Sequence, residues 1–144
     1  MHELLSRQLF DKEAEGIARA TELRGWTVFT IEYPTIDMGY SGEGRPDLRV
    51  RAMCDNWDEQ PPAVQLLSMD GSFLSSLPRD PKGIFNSSPH PVTGRPFICM
   101  RGTREYHTHP SHVGDSWGNY RGKSENNLGG ILTQIWHAWR KTVL

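Results

Sequence analysis

Leu48-Arg49-Val50-Arg51-Ala52-Met53-Cys54 alternates apolar side chains with polar or longer ones, and its reading decides the fold. Successive side chains of a strand point to opposite faces, so Leu48, Val50, Ala52 and Cys54 share one buried face. Cys54 therefore reads as core. Upstream, Trp26 to Tyr33 is aromatic and β-branched and predicts a strand stopped by Pro34. Gly39, Gly42, Gly44 and Pro46 predict a turn before Leu48, and Asp55 to Pro62 a loop after Cys54. Ala63 to Met69 predicts a third strand, closed by an Asp70-Gly71 turn. Strands at such short spacing pair as an antiparallel meander.

Two helices flank this meander. Residues 3–24 place Leu5, Leu9, Ala14 or Ile17, Ala18 and Thr21 near one face, with Arg7, Lys12, Glu13, Glu15, Arg19 and Arg24 elsewhere, and Gly25 stops the helix. Leu128, Ile131, Leu132, Ile135, Trp136 and Trp139 follow a helical period, capped by Asn126 or Asn127. Gly129 and Gly130 weaken its first turn and suggest close approach to the sheet. Between Leu77 and Asn127 periodicity fades and Gly, Pro, Ser and His residues accumulate. A long irregular stretch inside a domain is more often functional than idle.

Composition sets the outer bounds. With 144 residues the chain fits one domain, 1–144, of α+β class. Only 36% of residues are hydrophobic, and 10 prolines and 14 glycines accompany them, so the core is modest and the loops extensive. A formal net charge of −1 gives no electrostatic reason to expect nucleic acid or an anionic membrane as partner. No apolar run approaches the roughly 18–20 residues of a membrane span. Met1-His2-Glu3-Leu4-Leu5 is too charged for a secretory signal, and two cysteines without framework spacing fit free thiols in a reducing cytoplasm. No residue is assigned to a cofactor or a metal.

The chemistry concentrates in Pro89-His90-Pro91-Val92-Thr93-Gly94-Arg95-Pro96-Phe97-Ile98-Cys99. A rigid His-Pro turn leads through Pro96 to a cysteine at the end of a short apolar run. A thiolate is a strong nucleophile, and a thioester formed on it stays reactive toward amines. Cys99 and His90 are the candidate catalytic residues, Cys99 as nucleophile and His90 as the group orienting the turn through hydrogen bonds. No neighbouring residue in the sequence marks itself as a base.

The order of these features resembles the ubiquitin-conjugating (E2) family. The resemblance rests on the amphipathic first helix, the meander, Pro61-Pro62-Ala63-Val64 opening the third strand, His90-Pro91 followed by Phe97-Ile98-Cys99, Trp117, and the apolar helix from Leu128. It implies a UBC-like fold: N-terminal helix, antiparallel β-meander, active-site loop region and one C-terminal helix packed on the sheet. It also implies that Cys99 accepts a ubiquitin-like protein from an E1-like activating enzyme and passes it to an amine, usually a lysine, on a target protein. Within the family the chain resembles bacterial E2-like proteins of antiviral defence systems. The pattern departs where Val92 stands in place of the asparagine that follows His-Pro in the family and steadies the oxyanion. Thr93, Asn86, Asn119 or a histidine between 107 and 112 are the open substitutes. The stretch from Cys99 to Trp117 is also longer than usual, and a single helix follows it.

Two other readings compete. His107-Thr108-His109-Pro110, with His112 and Asp115 beyond, would put two imidazoles on one face of an extended segment, where they can hold zinc. The motif echoes the His-x-His-Pro of JAMM-type metalloproteases, but Trp117 and Tyr120 occupy the places where serine and aspartate would continue it. The other reading is an E2-like binding module that has the fold without thioester chemistry.

Overall fold

The computed structural model describes residues 1–80 and 83–144. Helix α1 (Glu3–Arg24) starts at His2, whose imidazole accepts from the Leu4 N–H, and ends at Gly25 in the left-handed region at φ 69°. Its buried residues are Ser6, Phe10, Ile17 and Thr21. Leu5 and Ala18, expected on this face, are exposed. The true stripe runs 6, 10, 13, 17, 21, an undisturbed 3.6-residue period that two hydroxyls and a carboxylate disguise. Glu13 uses its place on the stripe to accept from Trp57 Nε1 at 2.7 Å and from the Leu128 N–H at 2.6 Å. Burial pushes its carboxyl above the usual range, despite these hydrogen bonds.

The sheet has four antiparallel strands in the order β1 (Thr27–Glu32), β2 (Thr35–Tyr40), β3 (Leu48–Met53) and β4 (Ala63–Leu67). Three strands were expected, and β2 is the addition. Tyr33-Pro34 turns β1 directly into it, with Glu32 opposite Thr35. Gly39, read as a turn residue, lies inside β2 opposite Arg49. A Cβ there would come within 2.7 Å of Met69 Cε, so this glycine serves close packing. The turn begins only after Tyr40.

β3 follows its alternation: Leu48, Val50, Ala52 and then Cys54 are buried, joined by Ile36, Met38 and Tyr40 of β2 and Val64 and Leu66 of β4. Full burial of a large apolar side chain contributes about 1.5–3 kcal/mol. On the opposite face Asp37 receives Arg49 through Nε and Nη2, both at 2.8 Å, and Arg51 Nε at 3.2 Å.

A short hairpin follows, β5 (Phe85–Asn86) against β6 (Phe97–Ile98), then helix α2 (Arg104–Thr108), 3-10 turns at Trp117–Asn119 and Ser124–Asn126, and helix α3 (Leu128–Arg140). Asn127 caps α3 by accepting from the Gly130 N–H. Leu128, Ile131, Leu132, Ile135 and Trp139 are buried, while Trp136 lies half-buried at the stripe's edge. Tyr40 joins α3 to the sheet, its hydroxyl donating to Leu132 O at 3.0 Å and its ring meeting Trp139. Among the described residues no helix is long and apolar enough to cross a membrane.

The glycines of α3 approach helical neighbours rather than the sheet. A Cβ on Gly129 would rest 3.7 Å from Ile17 of α1, and one on Gly130 would meet the Ser124 and Glu125 carbonyl oxygens at 2.6 Å. Gly130→Ala tests which effect wins. Alanine gains about 1 kcal/mol of helix propensity, whereas forcing a methyl against backbone costs about 1–3 kcal/mol. The expected net result is a loss of up to about 2 kcal/mol in urea unfolding; a stabilised variant would show that the turn yields freely.

Candidate functional site

His90 is sealed inside its turn, with only 1% of its surface exposed. Nδ1 accepts from the Val92 and Thr93 N–H groups at 3.0 and 3.4 Å, which leaves Nε2–H to donate to Glu105 O at 2.8 Å. Backbone bonds from His90 N–H to Arg95 O and from Gly94 N–H to His90 O close the same turn. Both ring nitrogens are thus committed to backbone. Grouped with Cys99 as catalytic from the sequence, His90 is here a positioning residue that ties the turn to α2.

The turn delivers the chain to β6, and the Cys99 N–H continues the hairpin by donating to Ile84 O at 2.7 Å. Cys99 is half-buried, and desolvation raises its thiol above the ordinary value. Its Sγ lies 3.5 Å from His112 Nε2. Cys54 contrasts with it fully: it is 1% exposed, and burial pushes its thiol far upward. The structure therefore has one accessible thiol beside an imidazole and one sealed thiol in the core.

What brings His112 to Cys99 is the folding of residues 99–115. Thr103 Oγ1 donates to Ile98 O and Met100 O and lies 3.3 Å from the Tyr106 N–H, which starts α2 directly after the cysteine. Gly102 at φ 95° permits the tight bend, and a Cβ there would press on Ile131 at 3.2 Å. The His112 ring then stacks on Tyr106, centroids 4.2 Å apart and planes 11° from parallel. Tyr106 is fixed in turn by Asp115, which accepts from Tyr106 Oη at 2.6 Å, from Tyr120 Oη and from Arg101 Nε at 2.9 Å. Hydrogen bonds from Tyr106, Tyr120 and Arg101 hold the Asp115 carboxyl well below the usual carboxylate range.

The other histidines have separate duties. His107 lies in α2, not in an extended segment, so it and His109 diverge. Its Nε2 accepts from the Gly102 N–H at 3.1 Å and its Nδ1–H donates to Asp115 O at 2.8 Å; burial lowers its pKa. His109 stacks on Phe97 and accepts from the Ser111 N–H. Among the described residues no three of His, Cys, Asp and Glu gather where they could hold a metal ion. The helix breaks the geometry on which the zinc reading of His107, His109 and His112 was built.

Of the groups considered as substitutes for the missing asparagine, Thr93 and Asn86 use their oxygens to hold local backbone, which leaves the Thr93 O–H and the Asn86 amide N–H groups as donors. The Val92 side chain is exposed and its N–H belongs to His90; Thr93 Oγ1 accepts from the Arg95 N–H, and Asn86 Oδ1 from the Ser88 N–H. Asn119 is exposed on its 3-10 turn. His112 is the one brought into contact with the sulphur. The sequence offered His112 in a metal motif and among the histidines open as substitutes for the asparagine, but did not single it out as the neighbour of Cys99, and it missed the supporting Tyr106, Tyr120 and Arg101; Thr103, a capping residue directly after the cysteine segment, was the available signal.

Pro61 and Pro62 brace the site from below. Pro62 O accepts from the Arg104 N–H at 2.8 Å and Pro61 O from Arg104 Nε at 3.2 Å, while Trp117 Nε1 donates to Asp58 O at 2.8 Å. A separate groove of about 700 Å³, which Cys99 does not line, runs between Ile84, Met100, the α3 residues Gln134, His137 and Ala138, and the C-cap Lys141.

Comparison with known proteins falls on this half of the chain. The family model Y4jH-like (Y4jH family) matches residues 85–143, a span that holds His90, Cys99, His112 and α3. A curated relative, the uncharacterized protein y4jH of Sinorhizobium fredii (strain NBRC 101917 / NGR234), is 51% identical over 41 residues, which are 28% of this chain and 20% of that protein. The similarity thus spans about a fifth of the relative's length.

Glu105 offers a test of how the site is held. It is 6% exposed, and its Oε1 accepts from the Val64 N–H at 2.8 Å. Burial raises its carboxyl to about 7, outweighing the hydrogen bonds from Val64 and its own backbone. With the folded value above the unfolded one, the protonated form's contribution is complete below about pH 4.5 and is lost as pH rises through 7. Urea unfolding of the parent chain should lose up to about 3 kcal/mol between pH 5 and 8 relative to Glu105→Gln. Parallel pH dependences for the two would exclude Glu105 as the source.

Proposed function

We propose that the chain is an E2-like conjugating enzyme that carries a ubiquitin-like protein as a thioester on Cys99. The modifier arrives from an E1-like activating enzyme and leaves to a lysine amine on a target protein. The observation that carries this reading is the contrast between the thiols: Cys99 is half-exposed and touches an imidazole, while Cys54 is sealed. Support comes also from the order of elements. A first helix, a four-stranded antiparallel meander, a diproline strap before β4, a His-Pro turn, the cysteine and an apolar last helix follow the sequence expected of a UBC-like domain.

Unpaired thiols suit a cytoplasmic setting. A bacterial defence pathway is the context the resemblance implies, and the relative's bacterial source agrees with the first half of that statement.

Incubation with modifier, E1-like enzyme and ATP is expected to give an adduct that thiol reagents release. Cys99→Ala abolishes it, Cys54→Ala retains it, and Cys99→Lys converts it to a thiol-resistant amide. An adduct persisting in Cys99→Ala refutes the assignment, and modifier binding without any covalent species identifies a silent binding module.

A further inference from the structure

We propose that His112 is the proton acceptor for Cys99 in both halves of the transfer, a role separate from the oxyanion donor missing at Val92. The inference rests on the thioester reading above and adds to it a named group for the proton.

Three observations lead to it. First, His112 Nε2 is 3.5 Å from Cys99 Sγ, a contact that an S–H donor and a neutral imidazole acceptor make directly. Second, the other histidines near the site are committed: both nitrogens of His90 and of His107 bond to backbone, and Nδ1 of His109 accepts from Ser111. Among the described residues His112 makes no hydrogen bond from its side chain except the one to Cys99. It is half-exposed, so a proton taken at Nε2 has a route to water through the ring. Third, its orientation is built rather than incidental. The ring lies flat on Tyr106, whose hydroxyl is anchored by Asp115, itself held by Tyr120 and Arg101.

The chemistry balances. In loading, the Cys99 thiol proton passes to His112 Nε2 as the sulphur attacks the thioester carbonyl carbon of the incoming acyl group. The bond from that carbon to the donor thiol breaks, and the leaving thiolate takes the proton from His112. In discharge, the amine nitrogen attacks the Cys99 thioester carbonyl and gives its proton to His112. The carbon–sulphur bond to Cys99 breaks, and the proton returns to the Cys99 thiolate. General-base participation of this kind is worth about 10²–10⁴-fold in rate. The ionisable groups around His112 are the Cys99 thiol, the Tyr106 phenol and the His109 ring at 5.9 Å, with His107 of α2 and the Asp115–Arg101 pair beyond them.

The test uses S-phenyl thioacetate, a small activated thioester that needs no E1-like enzyme. Acetylation of Cys99 in the intact chain is followed by peptide mass against pH, for the parent chain, His112→Gln and His112→Ala. At pH 7 both variants should acetylate about 10²-fold more slowly. Their rates should keep climbing with pH where the parent levels off, and added imidazole should restore His112→Ala. Equal rates in parent and variants overturn the proposal, even if all are negligible. So does a slow His112→Ala that imidazole fails to rescue while the pH profile is unchanged, since that pattern marks a packing role. Thermal unfolding midpoints of the variants check that they fold. Should the parent chain fail to charge from an E1-like enzyme, the conjugation reading falls by itself, and the acetylation rates still decide the role of His112.

Discussion

Helix α2, only five residues long, holds the cysteine loop to the sheet, and it does so by answering backbone groups that would otherwise be buried unpaired. The Glu105 carboxylate accepts from Val64 at the start of β4, the Glu105 carbonyl accepts from buried His90, and the Arg104 N–H reaches Pro62. Each such group left unsatisfied in the interior costs about 1–3 kcal/mol, so the seam is decided by all of them together. A five-residue helix would be unstable on its own. Here its ends are fixed from outside, by Thr103 on one side and the diproline strap beneath. Placing α2 places Tyr106, and placing Tyr106 places His112 over Cys99. The Cys99–His112 contact is thus the last step of a hydrogen-bond order that begins at the sheet edge.

The parts of this fold legible in the sequence are those in which burial alone sets the pattern. β3 shows its period openly because both faces are chemically distinct. The last helix shows its stripe because nearly every member is large and apolar. α1 and β2 were harder for opposite reasons. The buried face of α1 carries Ser6 and Glu13, whose polar atoms obscure the helical period, and so the expected stripe kept Ile17 and Thr21 but took in exposed Leu5 and Ala18 and missed Phe10. β2 contains Gly39, which in a sequence speaks for a turn but here admits Met69 against the strand. In the site, the distinction between Cys54 and Cys99 was readable from alternation against a turn-rich setting. The partner of Cys99 was not, because a thirteen-residue separation is bridged only after α2 forms and the loop returns. Reading His107-Thr108-His109 as extended produced a metal site; Thr103 turned the same residues into a helix and sent the rings apart.

The histidines show how one side chain is given different work by the partners of its two nitrogens. His90 and His107 act as crosspieces between backbone groups, with both ring nitrogens used. At His107 burial lowers the pKa as well. His109 is mostly a stacking surface for Phe97. His112 has one bonded nitrogen, and that bond goes to sulphur. Rigidity comes to it through the ring face, from Tyr106, which leaves the nitrogens available for chemistry. Stacking orients without consuming donors or acceptors, and that makes it well suited to hold a group that must change protonation.

The state of the Cys99 thiol completes this picture. Desolvation raises it, so at neutral pH the resting sulphur is protonated and weakly nucleophilic. A permanently ionised thiolate would attack any electrophile and oxidise readily. A protonated thiol is protected from both, but it then needs an acceptor at the moment of attack, since the thiolate cannot form freely in a half-buried place. On the thioester reading, the same surroundings that lower resting reactivity also create the demand that His112 meets. On that reading burial and base are two parts of one proposed arrangement: the first would keep the thiol quiet between partners, and the second would let it react when an acyl group is held against the sulphur.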